Sequence, residues 1–134
     1  MSLNVADDPP FPWAEGLAYS QAIRVDNLVF TAGQGGFDES GEVVGGGVEA
    51  QIRQAFQNLE AALASQGASL GSVAKLTVYL VDVKDYEIFK RVRGDMFSAP
   101  YPASTAVVAG GLLIEGMAVE MDAVAVVGGQ RTTA

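Results

Sequence analysis

The sequence predicts an α+β fold: a mixed β-sheet with two helices packed on one of its faces, repeated in an oligomer. Three observations carry that prediction. Apolar residues recur at three- and four-residue intervals through residues 48–66, which is one face of a helix. β-Branched and alternating runs flank that helix on both sides, in the order β-β-(β)-α-β-α-β-β. Finally, 49% of the 134 residues are apolar and only 18% charged, as in a protomer that buries surface against its own copies.

Met1-Ser2-Leu3 reads as a leader ahead of a polar, Pro-rich start and is given no structural weight. The first elements are extended runs over Ala18–Val25 and Leu28–Gln34. Asp26-Asn27 joins them, because Asp and Asn tolerate the left-handed backbone of a tight hairpin. Gly35 to Gly41 is loop chemistry, and Glu42-Val43-Val44 is an optional short strand before Gly45-Gly46-Gly47. The helix over 48–66 then presents Val48, Ile52, Ala55, Phe56, Leu59, Ala62 and Leu63 inward, and Gly67 stops it.

Val73–Val81 reads as a half-buried central strand. Val73, Lys75, Thr77 and Tyr79 are expected on one side, and Leu76, Val78 and Leu80 on the other. Asp82 or Asp85 caps a second helix running to about Ser98, with Tyr86, Phe89, Met96 and Phe97 as its buried face. Pro100 and Pro102 end it. Strands over Ala103–Ala109 and Met117–Val127 complete one domain spanning residues 1–134, with no internal repeat.

Composition narrows the chemistry. No apolar stretch approaches the roughly 20 residues of a membrane span, so the expected location is cytoplasmic. The chain has neither Cys nor His, which removes thiol chemistry and the commonest metal ligand and general base. No metal and no organic cofactor are expected. A net charge of −8 opposes phosphate-backbone binding. Yet four of the eight cations, Lys84, Lys90, Arg91 and Arg93, crowd into one short segment. If Tyr86 and Phe89 face inward, Lys90 and Arg93 flank the apolar stripe and Arg91 points away.

Several segments, taken in order, resemble a known family. They are Ala18-Tyr19-Ser20-Gln21-Ala22, Val25 to Phe30, Ala32-Gly33-Gln34, Lys75 to Leu80, Pro102-Ala103-Ser104-Thr105-Ala106-Val107 and Met117 to Ala123. Their ordering closely resembles the Rid (RidA/YjgF) family of small trimeric proteins, whose typical members hydrolyse reactive imines and enamines. The resemblance implies a chorismate-mutase-like homotrimer around a barrel-like core, acting on a small-molecule metabolite in an intersubunit cleft.

The candidate site residues follow from that resemblance. By alternation alone Glu120 and Asp122 share a face, a reading satisfied by an exposed polar surface. The resemblance assigns Glu120 the ordering of the attacking water, as catalytic residue. It makes Tyr19 one wall of the cleft. Gly35 and Gly36 either form a simple turn or bring backbone amides close to a substrate oxygen.

Ser104 stands where imine-hydrolysing members carry an arginine that grips the substrate carboxylate. A serine hydroxyl replaces a charged fork with a single neutral donor. The expected enzyme is therefore a deaminase for something other than the standard 2-imino acids. Lys90 and Arg93 read as a solvated helix face with snorkelling stems. The alternative expectation is that one of them takes over part of the arginine's role and shifts the site toward a differently shaped anion. Two other functions are weighed: a metabolite-binding trimer without turnover, and an endoribonuclease or translation inhibitor, which the charge and the missing histidine disfavour.

Overall fold

The computed structural model describes residues 3–5 and 10–133. Seven strands form one mixed sheet and two α-helices cover one of its faces. The strands are β1 (Leu3–Val5), β2 (Ala22–Val25), β3 (Leu28–Thr31), β4 (Gln34–Gly35), β5 (Val73–Leu80), β6 (Ala103–Val108) and β7 (Val119–Val126); the helices are α1 (Val48–Ala64) and α2 (Tyr86–Met96). The sheet order is β1-β2-β3-β7-β5-β6, with β4 pairing along β7 beyond the end of β3. All neighbours are antiparallel except β5 and β6, which α2 connects as a crossover helix.

The hairpin forms as expected, with Asp26 at φ 53° in its turn. Its first strand starts at Ala22 rather than Ala18. The reason is the partner: β3 ends at Thr31, and the chain then leaves β2 to pair with β7 as β4. The Gln21 carbonyl still accepts from the Ala32 amide at 2.8 Å, but residues 18–20 have no strand opposite them among the described residues. Glu42-Val43-Val44 is not a strand; a single bridge between Phe37 and Val43 closes the loop on itself, and Asp38 caps the turn by accepting from the Ser40 and Glu42 amides. Leu3 belongs to β1, opposite Val25, so part of the expected leader extends the sheet. Met1 and Ser2 lie outside the described residues.

α1 runs for 17 residues and ends where Gly67, at φ +81°, takes up the left-handed conformation that terminates a helix. Its inward face is fully buried at Ile52, Ala55, Phe56, Leu59, Ala62 and Leu63. These pack on Leu76, Val78 and Leu80 of β5 and on Val119, Met121 and Ala125 of β7. Truncating one such leucine to alanine typically costs about 2–5 kcal/mol. α2 adds Phe89 and Val92 to the same core, with Phe89 stacked on Phe56 at 6.0 Å between ring centroids. Its first turn is preceded by Asp82, whose carboxylate accepts from the Lys84 amide at 2.9 Å.

β5 departs from its expected alternation at one point. A bulge between Val73 and Lys75 shifts the register against β7, so Val73 turns into the core while Ala74 is exposed. Beyond the bulge, Lys75, Thr77 and Tyr79 face away from the helices. β7 alternates without interruption: Val119, Met121, Ala123 and Ala125 are buried, and Glu120, Asp122 and Val124 are half-exposed on the opposite face.

Candidate functional site

The position of Glu120 is set by its strand. Register pairs it with Tyr79 of β5 on one side and Gly35 of β4 on the other. The start of β7 is held by a buried glutamine on α1: Gln51 donates to the Gly116 carbonyl at 3.0 Å and accepts from the Ala118 amide at 2.8 Å. β4 is pinned similarly, with Asn58 Nδ2 donating to the carbonyls of Gly35 and Phe37, each at 2.9 Å. Both α1 side chains look out of place on an apolar helix face. Each satisfies backbone groups that the short strand β4 and the turn before β7 leave without ladder partners.

Around Glu120 lies an open cavity of about 400 Å³, lined by Gly33, Tyr79, Asp122, Leu112 and Leu113 among others. A Cβ on Gly33 would sit only 2.1 Å from Glu120 Oε1, so the carboxylate occupies the space that a side chain at residue 33 would fill. Partial burial pushes the Glu120 carboxyl above its ordinary range, and the neighbouring Asp122 charge pushes the same way. Asp122 is likewise raised by burial, against the lowering effect of hydrogen bonding with Tyr79 and of the Lys75 charge. The Tyr79 phenol is raised chiefly by the Asp122 charge. Two carboxyls and a phenol thus share one polar patch, each held toward its protonated form.

Ser104 lies on the other side of the sheet. β6 runs in parallel register with β5, pairing Ser104 with the buried Leu76 and Thr105 with Thr77. Side chains paired in register share a face, so Ser104 points toward α2 while Thr105 accepts from Lys75 Nζ at 2.5 Å on the face that carries Glu120. On the helix side, Arg93 Nη1 donates to Ser104 Oγ at 3.0 Å and Arg93 Nη2 to the Tyr86 hydroxyl at 3.3 Å. A cavity of about 390 Å³ opens there, with Lys90, Arg93, Tyr101 and Ser104 in its wall. Arg91 turns away and pairs with Glu49 of α1.

The remaining candidates are placed elsewhere. Tyr19 is 58% exposed and borders a third cavity, of about 140 Å³, with Ser20, Gln21 and Ser65. Gly35 and Gly36 are buried. A Cβ on Gly35 would meet Phe37 and Met117, and one on Gly36 would meet the α1 backbone at Gln51. Their lack of side chains lets β4 and the following residue sit against the helix layer. A single chain therefore brings Lys90, Arg93 and Ser104 together, and Glu120 with Gly33, but it does not join those groups to each other or to Tyr19. Gly33, Tyr79 and Asp122 were not singled out from the sequence as site residues. The alternation that places Asp122 beside Glu120 was the one available signal; the others depend on strand pairing.

Among the described residues no group of acidic side chains is arranged to hold a metal ion, and no helix is long and apolar enough to cross a membrane.

Residues 13–127 match the family profile described as endoribonuclease L-PSP. A RutC family protein of Pyrococcus abyssi is 41% identical over 108 residues, covering 80% of this chain and 84% of that protein. Human 2-iminobutanoate/2-iminopropanoate deaminase is 35% identical over 111 residues, covering 82% and 80% respectively. The crystal structure of RidA from an Antarctic Psychrobacter superposes with a TM-score of 0.79 at 34% identity, over 94% of this chain and 98% of that one.

Proposed function

Because the chain belongs to the endoribonuclease L-PSP family, the YjgF/RidA family, we propose that it hydrolyses an imine or enamine of a small metabolite with Glu120 as the catalytic carboxyl. Relatives in this family are named as imine deaminases, so the reaction class has support at family level. The substrate is a finer matter. With Ser104 rather than a strand-borne guanidinium on β6, it is an imino compound other than the standard 2-imino acids.

The observation that carries the proposal is the half-buried Glu120 carboxyl with its raised pKa, beside a glycine that leaves it room. In ionised form Glu120 accepts a proton from water as the oxygen adds to the carbon of the protonated imine, giving a neutral carbinolamine. The carboxylic acid then returns that proton to the carbinolamine nitrogen. The C–N bond breaks and ammonia leaves as the hydroxyl gives its proton to the regenerated Glu120 carboxylate and becomes the carbonyl. A pKa raised toward the working pH suits a group that must both take and give a proton.

Ser104 and Glu120 sit on opposite faces of one sheet, which argues for a site shared between copies. The edge strand β6 leaves Val107 and Val108 exposed, and β3 exposes Leu28 and Phe30; unpartnered apolar surface of this kind fits a homotrimeric assembly in which one protomer's Glu120 meets another's helix-side cavity. The RNA-cleaving reading implied by the family's description has no such support, since the net charge is −8 and histidine is absent.

The test is ammonia release from enzymatically generated imino acids by native protein, Glu120→Gln and Glu120→Ala at matched oligomer concentration. Release that depends on Glu120 is expected. Ligand-induced stabilisation with no ammonia would convert the assignment to a binding protein, and release unchanged by Glu120→Gln would remove Glu120 from the mechanism.

A further inference from the structure

Arg93 occupies a position that neither the core nor the ion-pair network of the helices explains. Arg53 and Arg91 each close on carboxylates of Glu49 or Asp95. Among the described residues Arg93 closes on none; its partners are two neutral hydroxyls, those of Ser104 and Tyr86. Its guanidinium lies 5.3 Å from the Phe89 ring centroid and 5.8 Å from that of Tyr86, so aromatic faces hold the plane of the fork. Five N–H groups are available on a guanidinium and two are used here.

The surrounding cavity has the matching character. Its wall includes Lys90 and Arg93 but neither aspartate nor glutamate, and the aromatic rings of Tyr86, Phe97 and Tyr101 supply apolar surface. Lys90 is paired with Glu87 at 2.9 Å, whereas Arg93 has no carboxylate partner among the described residues and is the first cation to meet an entering anion. Its volume, about 390 Å³, lies in the ordinary range for small-molecule pockets. In a chain of net charge −8, a pocket walled by cations focuses the field that draws an anion inward.

We propose that Arg93 is the carboxylate-binding residue of the substrate pocket, with the Ser104 and Tyr86 hydroxyls as positioning residues that aim its fork. The ligand class is an imino or enamine acid whose carboxylate meets Arg93 and whose apolar or aromatic body packs on Tyr86, Phe97 and Tyr101. The imino character of that ligand rests on the hydrolase reading above; the carboxylate recognition does not. Serine in β6 is then a requirement of the arrangement: a long cationic side chain there would fill the cavity and repel Arg93, whereas a short hydroxyl orients it.

Phenylpyruvate and 2-oxobutanoate are stable carbonyl counterparts of an aromatic and a small imino acid, and their binding is measured by calorimetry on the assembled protein. Phenylpyruvate is expected to bind more tightly than 2-oxobutanoate. Arg93→Ala should weaken phenylpyruvate by about 10- to 100-fold, the loss of a charge-assisted contact, and Ser104→Ala by about 5-fold. Phenylpyruvamide, which lacks the carboxylate, should bind weakly and equally to native protein and Arg93→Ala. Arg93→Lys keeps the charge but not the fork and serves if Arg93→Ala fails to fold; it should also lose affinity. Native protein that binds neither acid, or phenylpyruvate affinity unchanged by either Arg93 substitution, overturns the proposal. Ammonia release is read separately. Arg93-dependent binding without turnover would sink the hydrolase reading alone, and Glu120-dependent turnover insensitive to Arg93 would sink this inference alone.

Discussion

Gly33→Ala is the sharpest perturbation the site offers, because it displaces the carboxyl proposed as catalytic without removing any group. The added Cβ falls 2.1 Å from Glu120 Oε1 and 2.8 Å from its Cδ. An unstrained C···O contact is about 3.3 Å, so the carboxylate must retreat by roughly 1 Å. A misplacement of that size at a reacting group costs about 100-fold in rate. The effect on folding is small for two reasons. Gly33 does not occupy the left-handed region where a side chain is strained, and the atoms in the way are the mobile end of one side chain. A stability change within about 1 kcal/mol of native follows. Ammonia release under saturating substrate and urea denaturation on the same preparation read the two quantities. In the Glu120→Gln background the alanine should add little further loss, because the group it displaces is already inactive. Full activity in Gly33→Ala, with native stability, would refute the argument that this carboxyl is held in place for catalysis.

Two further outcomes follow from the same geometry. Burial and Asp122 raise the Glu120 carboxyl above its ordinary value of 4.5, so between that value and the folded-state pKa the native state holds a proton the unfolded chain has lost. Stability therefore falls as pH rises through that window, and above the ordinary carboxyl value the raised Glu120 is a net cost. Glu120→Gln should melt above native protein at pH 7, with the gap closing below about pH 4.5; a native melting point equal to or above the variant's at pH 7 would contradict the burial argument. Asn58→Ala strands the Gly35 and Phe37 carbonyls that Asn58 Nδ2 serves, and should cost about 2–3 kcal/mol by urea denaturation. The exposed neighbour Gln57→Ala is the control and should stay within about 0.5 kcal/mol. Equal effects at the two positions would mean that Asn58 is replaceable by water.

What could be read from the chain alone is what depends on near neighbours. Three- and four-residue spacing marked α1 and α2, alternation marked β5 and β7, Asp26-Asn27 marked the hairpin and Gly67 the helix end, because each follows from the geometry of a few consecutive residues. Alternation in β7 was sufficient to put Glu120 and Asp122 on one face. Pairing between distant segments was not legible. The bulge that buries Val73, the transfer of the chain from β2 to β7 after Thr31, and the recruitment of Leu3 to Val5 into the sheet are all decided by which strand lies opposite. So are the buried amides of Gln51 and Asn58, which serve carbonyls and amides far away in sequence. The same holds at the site. Helical spacing put Lys90 and Arg93 beside the apolar stripe, but the contact between Arg93 and Ser104 exists because β6 lies parallel to β5 in the register that turns Ser104 toward α2. That register also places Ser104 on the face opposite Glu120, a separation no local pattern encodes, since one residue of slip in either pairing would reverse it.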